Sequence, residues 1–278
     1  MIEFFLFAGL FFSILQTGNL YYFFVSKNVQ GTRNKKQRTK SSSKSKQSST
    51  SLIMILLTIT VVIAMILGMS YVFIHLFSRN FFIIYMGIIT YGMLIYAISQ
   101  IISSSHKLFF GLLIASILLA IQLWVKIPLY GGLLLTFGYI SVVSTIFISK
   151  IVPPKILILS LIAFTLYDFS TVFITPVQMD LAGKTINNLF PAALVLGNTT
   201  LGTGDVLFAL IMTIFTRTYY STKVAIIMGL LLALPMVGIG IFVKLFPEQN
   251  IGLPYLIFMT PLFLAVVYTM KQKGYKLR

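Results

Sequence analysis

Residues 108–149 read LFFGLLIASILLAIQLWVKIPLYGGLLLTFGYISVVSTIFIS and contain a single charged residue, Lys126. An apolar run of roughly 17 to 25 residues is long enough to cross a bilayer as a helix. This stretch holds two such runs, 108–124 and 128–149, on either side of Lys126. It therefore predicts two transmembrane helices joined by a very short connection.

The rest of the chain has the same character. Of its 278 residues, 58% are hydrophobic and only 9% are charged, whereas soluble domains carry about 25% charged residues. This composition excludes a water-soluble enzyme and predicts an all-α, polytopic membrane protein with about nine transmembrane helices. The candidate spans lie near residues 2–25, 51–77, 81–103, 108–124, 128–149, 155–175, 201–216, 224–243 and 253–270.

The basic residues are distributed unevenly and indicate how the chain is oriented. The loop 26–50 has eight of them, no acid and no apolar periodicity, so we expect a disordered tether. We favour a solvated loop over one that binds nucleic acid or lipid headgroups. With this loop in the cytoplasm, alternation puts 17 Lys and Arg inside and 4 outside. Positive-inside insertion then predicts a multi-pass protein of the cell membrane with its N-terminus outside and its C-terminus cytoplasmic.

The residue types present limit the kinds of metal and cofactor site that the chain can form. The chain has no Cys and only two His, which excludes disulfides and thiolate metal sites and leaves little for an imidazole site. We expect no metal, no cofactor and no nucleic-acid partner. One expected partner is the lipid bilayer. The oligomeric state does not follow from the sequence.

Two of the five acids, Asp168 and Asp205, fall inside predicted spans. A carboxyl at membrane depth costs a few kcal/mol or more, so such a residue is a functional-site hypothesis by default. No Lys or Arg lies in the interior of any predicted span, which leaves two carboxyls sharing a proton as one arrangement. Asp168 lies roughly 20 Å beyond Lys155 at 1.5 Å per residue, and Asp205 follows the outer start of the next span. Antiparallel helices would bring both acids to the outer half of the bilayer.

Two short motifs around the acids resemble those of a known protein family. Tyr167-Asp168 in the sixth span and Gly202-Thr203-Gly204-Asp205 in the seventh resemble the presenilin and signal peptide peptidase family of intramembrane aspartyl proteases. Nine spans and a proline-centred motif at the ninth, Pro254-Tyr255-Leu256, also agree. The family has Pro-Ala-Leu there, so Tyr255 stands in place of Ala. The resemblance covers roughly residues 155–260, and a small single-chain protein resembles the archaeal homologues most.

The resemblance implies a presenilin-like fold, a signal peptide peptidase-like activity and a set of site residues. Its catalytic residues would be Asp168 and Asp205. The expected division is an N-terminal five-helix part, 1–150, which includes the loop 26–50, and a C-terminal four-helix catalytic part, 151–278. The second expected partner would be a transmembrane peptide substrate, which the remaining site residues would contact: Tyr167, Gly202, Thr203, Gly204, Pro254, Tyr255 and Leu256.

Other readings of the two acids remain open. In a proton- or ion-coupled transporter, Asp168 and Asp205 would act as relay acids, and Gln16, Asn19, Gln100 and Gln122 could line a path. No internal repeat of the kind common in transporters is visible. A prepilin-peptidase-like enzyme also uses a Gly-x-Gly-Asp acid, but its second acid belongs in an early span.

Overall fold

Eight helices and one two-stranded β-ribbon make up the described part of the chain. The computed structural model describes residues 2–37, 79–102, 106–150, 152–173, 193–196, 199–245 and 255–275. The helices are α1 Ile2–Gln37, α2 Arg79–Ile101, α3 Lys107–Val125, α4 Pro128–Ser149, α5 Pro154–Phe173, α6 Thr203–Tyr219, α7 Thr222–Leu245 and α8 Leu256–Gln272. The strands are β1 Ala193–Leu196 and β2 Thr199–Gly202, which lie between α5 and α6 in the chain.

Five of these helices, α1, α2, α3, α4 and α7, are long and apolar enough to cross a membrane. The helix α8 is apolar but shorter. The coarse prediction of a helical, multi-pass membrane protein is therefore confirmed. The second predicted span, 51–77, lies outside the described residues.

The basic loop begins later than the sequence predicts. We expected a disordered tether from residue 26, whereas α1 continues as helix to Gln37. Lys and Gln are good helix formers, and adding residues to an existing helix avoids the cost of nucleation. The prediction was wrong for residues 26–37, and residues 38–50 lie outside the described part of the chain.

The β-ribbon, strands 193–196 and 199–202, lies where the sequence predicts an outer connection and the beginning of the seventh span, 201–216. β1 and β2 pair antiparallel, with Ala193 opposite Gly202 and Leu196 opposite Thr199. The sequence between the strands is Gly197-Asn198, a residue pair typical of two-residue hairpin loops. The helix consequently begins at Thr203 rather than at residue 201.

The helices α3 and α4 end at lysines that serve as C-caps. Lys126 and Lys150 have φ angles of 57° and 53°, the left-handed conformation that closes many helices. The Lys126 N–H donates to the Gln122 carbonyl at 2.8 Å. Pro128 then starts α4 at a position where a missing N–H costs nothing. These caps account for the two-residue connection between the predicted spans.

Contacts between helices define their directions. Gly138 lies against Met93, and the Tyr96 and Thr145 hydroxyls are 2.9 Å apart, so α2 and α4 run parallel. On α1, Gly18 and Phe23 meet Leu210 and Arg217 of α6 in the same order, so these two helices are also parallel. Tyr139 and Phe147 of α4 likewise meet Thr203 and Phe215 of α6. By contrast, α3 lies antiparallel to α2, with Ser116 against Tyr91 and Gly111 against Ser99.

The helix α6 lies at the centre of this bundle. It packs against α1, α4, α7 and α8. Its fully buried apolar residues cover most of its circumference: Val206, Ala209, Leu210, Met212, Ile214 and Phe215. The face that contains Gly204, Leu207 and Ile211 is exposed or half-buried. A helix with neighbours on most of its surface has little freedom to tilt. The residues at its N-terminal end are consequently held in place by the core.

Gly138 marks a close approach of α4 to α2, and this generates a stability prediction. A methyl group at position 138 would come within 2.5 Å of the Met93 Cβ. We expect Gly138→Ala to lower the free energy of unfolding by about 1–3 kcal/mol, the usual cost of overpacking a core. Thermal or denaturant unfolding in detergent measures it.

The matched control for this change is Gly92→Ala on α2. No atom lies within 4 Å of a Cβ built there, so the substitution should leave stability unchanged or raise it slightly through helix propensity. Equal stability of the two variants would contradict the close packing of α2 on α4.

Candidate functional site

Asp168 is a buried acid in the later part of α5. Asp168 is 6% exposed, and α5 has no other charged residue after Lys155. The preceding Tyr167 is half-buried, and the following Phe169 is exposed. The helix therefore directs the carboxyl inward while its flank stays apolar.

Asp205 is the third residue of α6 and lies in its first turn. A side chain at Gly202 would come within 3.0 Å of Asp205 Oδ2, so the carboxyl folds back over the beginning of the helix. Gly204 differs from Gly202, because it is exposed and has no atom within 4 Å of a Cβ built on it. Space thus remains open on one side of the acid. An acid in the first turn also stabilises a helix N-terminus, which is the structural alternative for Asp205.

The two acids lie at the same level on neighbouring helices. The rings of Phe164 on α5 and Phe208 on α6 have centroids 4.9 Å apart. Asp168 lies one turn beyond Phe164, and Asp205 lies one turn before Phe208, as antiparallel packing requires. The carboxyls of Asp168 and Asp205 interact electrostatically. The structure therefore brings together the two acids that the sequence singled out.

Thr203, one of the predicted substrate-binding residues, is part of the support of α6. It is 3% exposed and hydrogen-bonds to Tyr139 of α4. The bond ties the first residue of α6 to the neighbouring parallel helix, two residues before Asp205. Sequence reasoning did not single out Tyr139, because one tyrosine in an apolar helix carries no motif.

Tyr255, at the position where the resembled family has Ala, lies in the core beside the acids. It is 3% exposed, its ring meets Phe11 edge-on with centroids 5.9 Å apart, and it interacts electrostatically with Asp205. Its hydroxyl donates to the Leu232 carbonyl and accepts from the Met236 N–H. Tyr255 therefore bridges two backbone groups of α7 that are one turn apart.

The bridge lies at a proline in α7. Pro235 is inside the helix and has no N–H to give to the preceding turn. The carbonyl that loses this donor is that of Leu231, next to the Leu232 carbonyl that Tyr255 contacts. Tyr255 thus holds the beginning of α8 against the weakened turn of α7.

Leu256 and Pro254 complete the predicted proline-centred motif. Leu256 is 3% exposed, so in this structure it packs in the core. Pro254 lies outside the described residues. A second link, between the hydroxyls of Thr165 and Thr260 at 2.6 Å, joins α8 to α5 and was not predicted. The helix α8 is consequently attached to both α5 and α7 close to the acids.

The β-ribbon leads directly into the helix that carries Asp205. Ala193 and Leu194 of β1 lie against Gly132 of α4, where a Cβ would come within 3.0 Å of the Ala193 carbonyl. Leu194 and Leu201 are buried. The glycine therefore lets the strand backbone approach α4, and the ribbon is seated on the bundle next to the acids.

The four polar residues of the transporter hypothesis lie on α1, α2 and α3 and not on α5 or α6, which carry the acids. Asn19 Nδ2 donates to Gln16 Oε1 at 3.4 Å, and both residues lie on α1 near Gly229 and Arg217. Gln100 is half-buried on α2, and Gln122 is buried on α3. Within the described ranges, no group of three His, Cys, Asp or Glu could hold a metal ion.

Comparisons with protein-family models, curated proteins and solved structures gave no match for the chain.

The bridge made by Tyr255 leads to a prediction. We expect Tyr255→Phe to lower the free energy of unfolding by about 0.5–1.5 kcal/mol, because a buried hydrogen bond to the backbone of α7 is lost. Unfolding in detergent measures the change. Tyr268→Phe on α8 is the matched control, since Tyr268 is 64% exposed. If both variants unfold like the unmodified chain, the hydroxyl of Tyr255 does not hold α8 to α7.

Proposed function

We propose that the chain is an intramembrane aspartyl endopeptidase, similar to signal peptide peptidases, that hydrolyses peptide bonds within transmembrane segments. One observation carries the proposal: Asp168 and Asp205 are electrostatic neighbours on antiparallel helices of an apolar bundle. Neither α5 after Lys155 nor α6 before Arg217 contains a Lys or Arg that could pair with them. Two adjacent carboxyls without a cation on either helix favour sharing one proton.

A shared proton is what water-based amide hydrolysis uses. The ionised carboxyl takes a proton from a water molecule as the water attacks the scissile carbonyl. The protonated carboxyl donates to the developing oxyanion, which gives a gem-diol without a metal or a covalent adduct. Collapse of the gem-diol releases the amine, to which the pair returns a proton. The two acids act as one coupled unit in each step.

The surroundings of Asp205 suit an extended peptide. A helical substrate hides its peptide bonds, so the segment to be cut must unwind beside the acids. An unwound backbone needs hydrogen-bond partners, and strand addition to a β-ribbon supplies them. The ribbon β1–β2 ends at Gly202, three residues before Asp205, and the open side of Gly204 leaves room for a second backbone. These features support a substrate strand lying next to β1–β2.

The helix directions support the proposed alternation of spans. In a chain of nine spans, α1, α2, α4 and α6 are odd-numbered crossings and must run parallel, as they do. Lys27 and Arg217, both assigned to the cytoplasmic side, approach the same ring, Phe23. Nine spans, a presenilin-like arrangement and a location in the cell membrane are therefore part of the proposal.

The decisive experiment measures cleavage of a single-span transmembrane peptide by the purified full chain. Products are mapped by mass, and cuts are expected inside the apolar segment. Asp168→Asn and Asp205→Asn should each reduce the rate by at least about 10³-fold while the protein stays folded, because either change removes a proton-transfer group. Glu3→Gln is the matched carboxyl-to-amide control and should keep full activity.

Two outcomes would contradict the proposal. Full cleavage by either asparagine variant would exclude that acid from catalysis. Proton uptake into vesicles that depends on both acids, with no peptide cleaved, would favour the transporter.

Gly204 provides a test of where the substrate lies. We expect Gly204→Val to leave stability unchanged, because its Cβ enters open space, and to reduce kcat/KM by about tenfold or more by blocking the substrate backbone. Cleavage kinetics and thermal unfolding measure the two effects. Gly238→Val on α7 is the control, since its Cβ also meets no atom within 4 Å. Unchanged kinetics in Gly204→Val would exclude this side of Asp205 as the path of the substrate.

A further inference from the structure

A pair of cations shares one aromatic ring at the C-terminal ends of the apolar parts of α1 and α6. Lys27 Nζ lies 4.3 Å from the centroid of Phe23, and Arg217 Cζ lies 5.3 Å from it. The two cations are therefore no more than about 9.6 Å apart. Like charges at this distance repel one another unless an anion lies near both.

Arg217 is held in place from the protein side. One of its terminal N–H groups donates to the backbone carbonyl of Asn19, a residue that is 2% exposed. A guanidinium has five N–H donors in a planar fork, so several remain for a ligand. The half-buried Arg217 is therefore a preorganised donor, unlike a lysine that moves freely in solution.

No acid on either helix compensates these charges. The only acid of α1 is Glu3, and the only acid of α6 is Asp205, and each is at the opposite end of its helix. The aromatic ring of Phe23 provides part of the compensation. A second part can come from an anion outside the chain.

The depth of the pair indicates which anion fits. The apolar span of α1 runs Phe4–Lys27, so Lys27 marks its boundary. Next to the pair, Leu20 and Phe24 are apolar and 58% and 62% exposed. A ligand that combines a phosphate with acyl chains matches both the cations and these apolar neighbours. A free phosphate ion matches only the cations.

We propose that Phe23, Lys27 and Arg217 form a binding site for the phosphate of an anionic phospholipid headgroup. The phosphate bonds to the Arg217 fork and the Lys27 ammonium, and the acyl chains lie along Leu20 and Phe24 of α1. The bound lipid joins the ends of α1 and α6, the helix that carries Asp205. This proposal does not depend on the protease function.

The test uses the delipidated full chain in detergent and measures phosphatidylglycerol binding by native mass spectrometry. Phosphatidylglycerol should bind more tightly than phosphatidylcholine. Lys27→Gln and Arg217→Gln should each weaken phosphatidylglycerol binding about fivefold, the change that about 1 kcal/mol per basic residue gives. Lys107→Gln is the matched control and should have no effect, because Lys107 is an exposed lysine at the beginning of α3 and does not share the Phe23 ring.

Further arms of this experiment separate the alternatives. Inorganic phosphate at millimolar concentration should not displace the lipid, and displacement would reduce the site to a general anion site and overturn the proposal. Equal binding of the two lipids, or equal effects of the Lys27 and Lys107 variants, would also overturn it. If Arg217→Gln does not fold, the Lys27→Gln variant tests the proposal alone. Lys27 is exposed, so its replacement should not affect folding. Arg217→Lys should bind more weakly than the unmodified chain because it keeps the charge but loses the fork.

Discussion

The arrangement of this protein depends on two carboxyls that interact electrostatically within an apolar bundle. Asp168 is buried on α5, and Asp205 lies in the first turn of α6. A single ionised carboxyl in such a place is costly, and two ionised neighbours are costlier still. The same constraint that makes the pair unfavourable for stability makes it suitable for moving a proton. The rest of the bundle must therefore hold the pair together against its own repulsion.

Several contacts in the described structure hold the two acid-bearing helices, α5 and α6, in place. The helix α6 is buried over most of its circumference, Thr203 is bonded to Tyr139 of α4, and the ribbon β1–β2 is seated on Gly132. On the other side, the Thr165–Thr260 link and the Phe164–Phe208 ring contact join α5 to α8 and to α6. Asp205 thus projects from the most confined helix, whereas Asp168 comes from a helix attached through fewer contacts. If the chain acts as the proposed protease, we expect the movement that admits its substrate to occur on the α5 side.

Hydropathy and charge predicted a large part of this molecule, because length and side-chain polarity decide which segments can cross a bilayer. The helix α4 has the predicted bounds, 128–149, and the caps at Lys126 and Lys150 end helices where the apolar runs end. The high cost of an intramembrane acid was enough to single out Asp168 and Asp205. Their electrostatic contact also agrees with the antiparallel packing expected from their positions in the chain.

The features that hydropathy missed depend on local backbone preferences and on which faces meet. Gly197-Asn198 between short strands was a readable hairpin signal, but the apolar character of the segment concealed it. The helical residues 26–37 continue α1 past the point where hydropathy ends, because helix propagation does not require apolar residues. Helices that are apolar all round show no periodicity that tells which side faces a neighbour. For that reason the burial of Tyr255 and Leu256 could not be foreseen.

The Tyr255 bridge allows the beginning of α8 to separate from α7 at a low enthalpic cost. The carbonyl of Leu232 and the N–H of Met236 are the natural i to i+4 partners of an α-helix. If the phenol withdrew, these groups could bond directly to each other, so the number of satisfied hydrogen bonds would fall by at most one. When α8 separates from α7 next to Asp205, the Leu232 carbonyl and the Met236 N–H exchange the Tyr255 hydroxyl for each other. This exchange has a far lower enthalpic cost than breaking a helix in lipid.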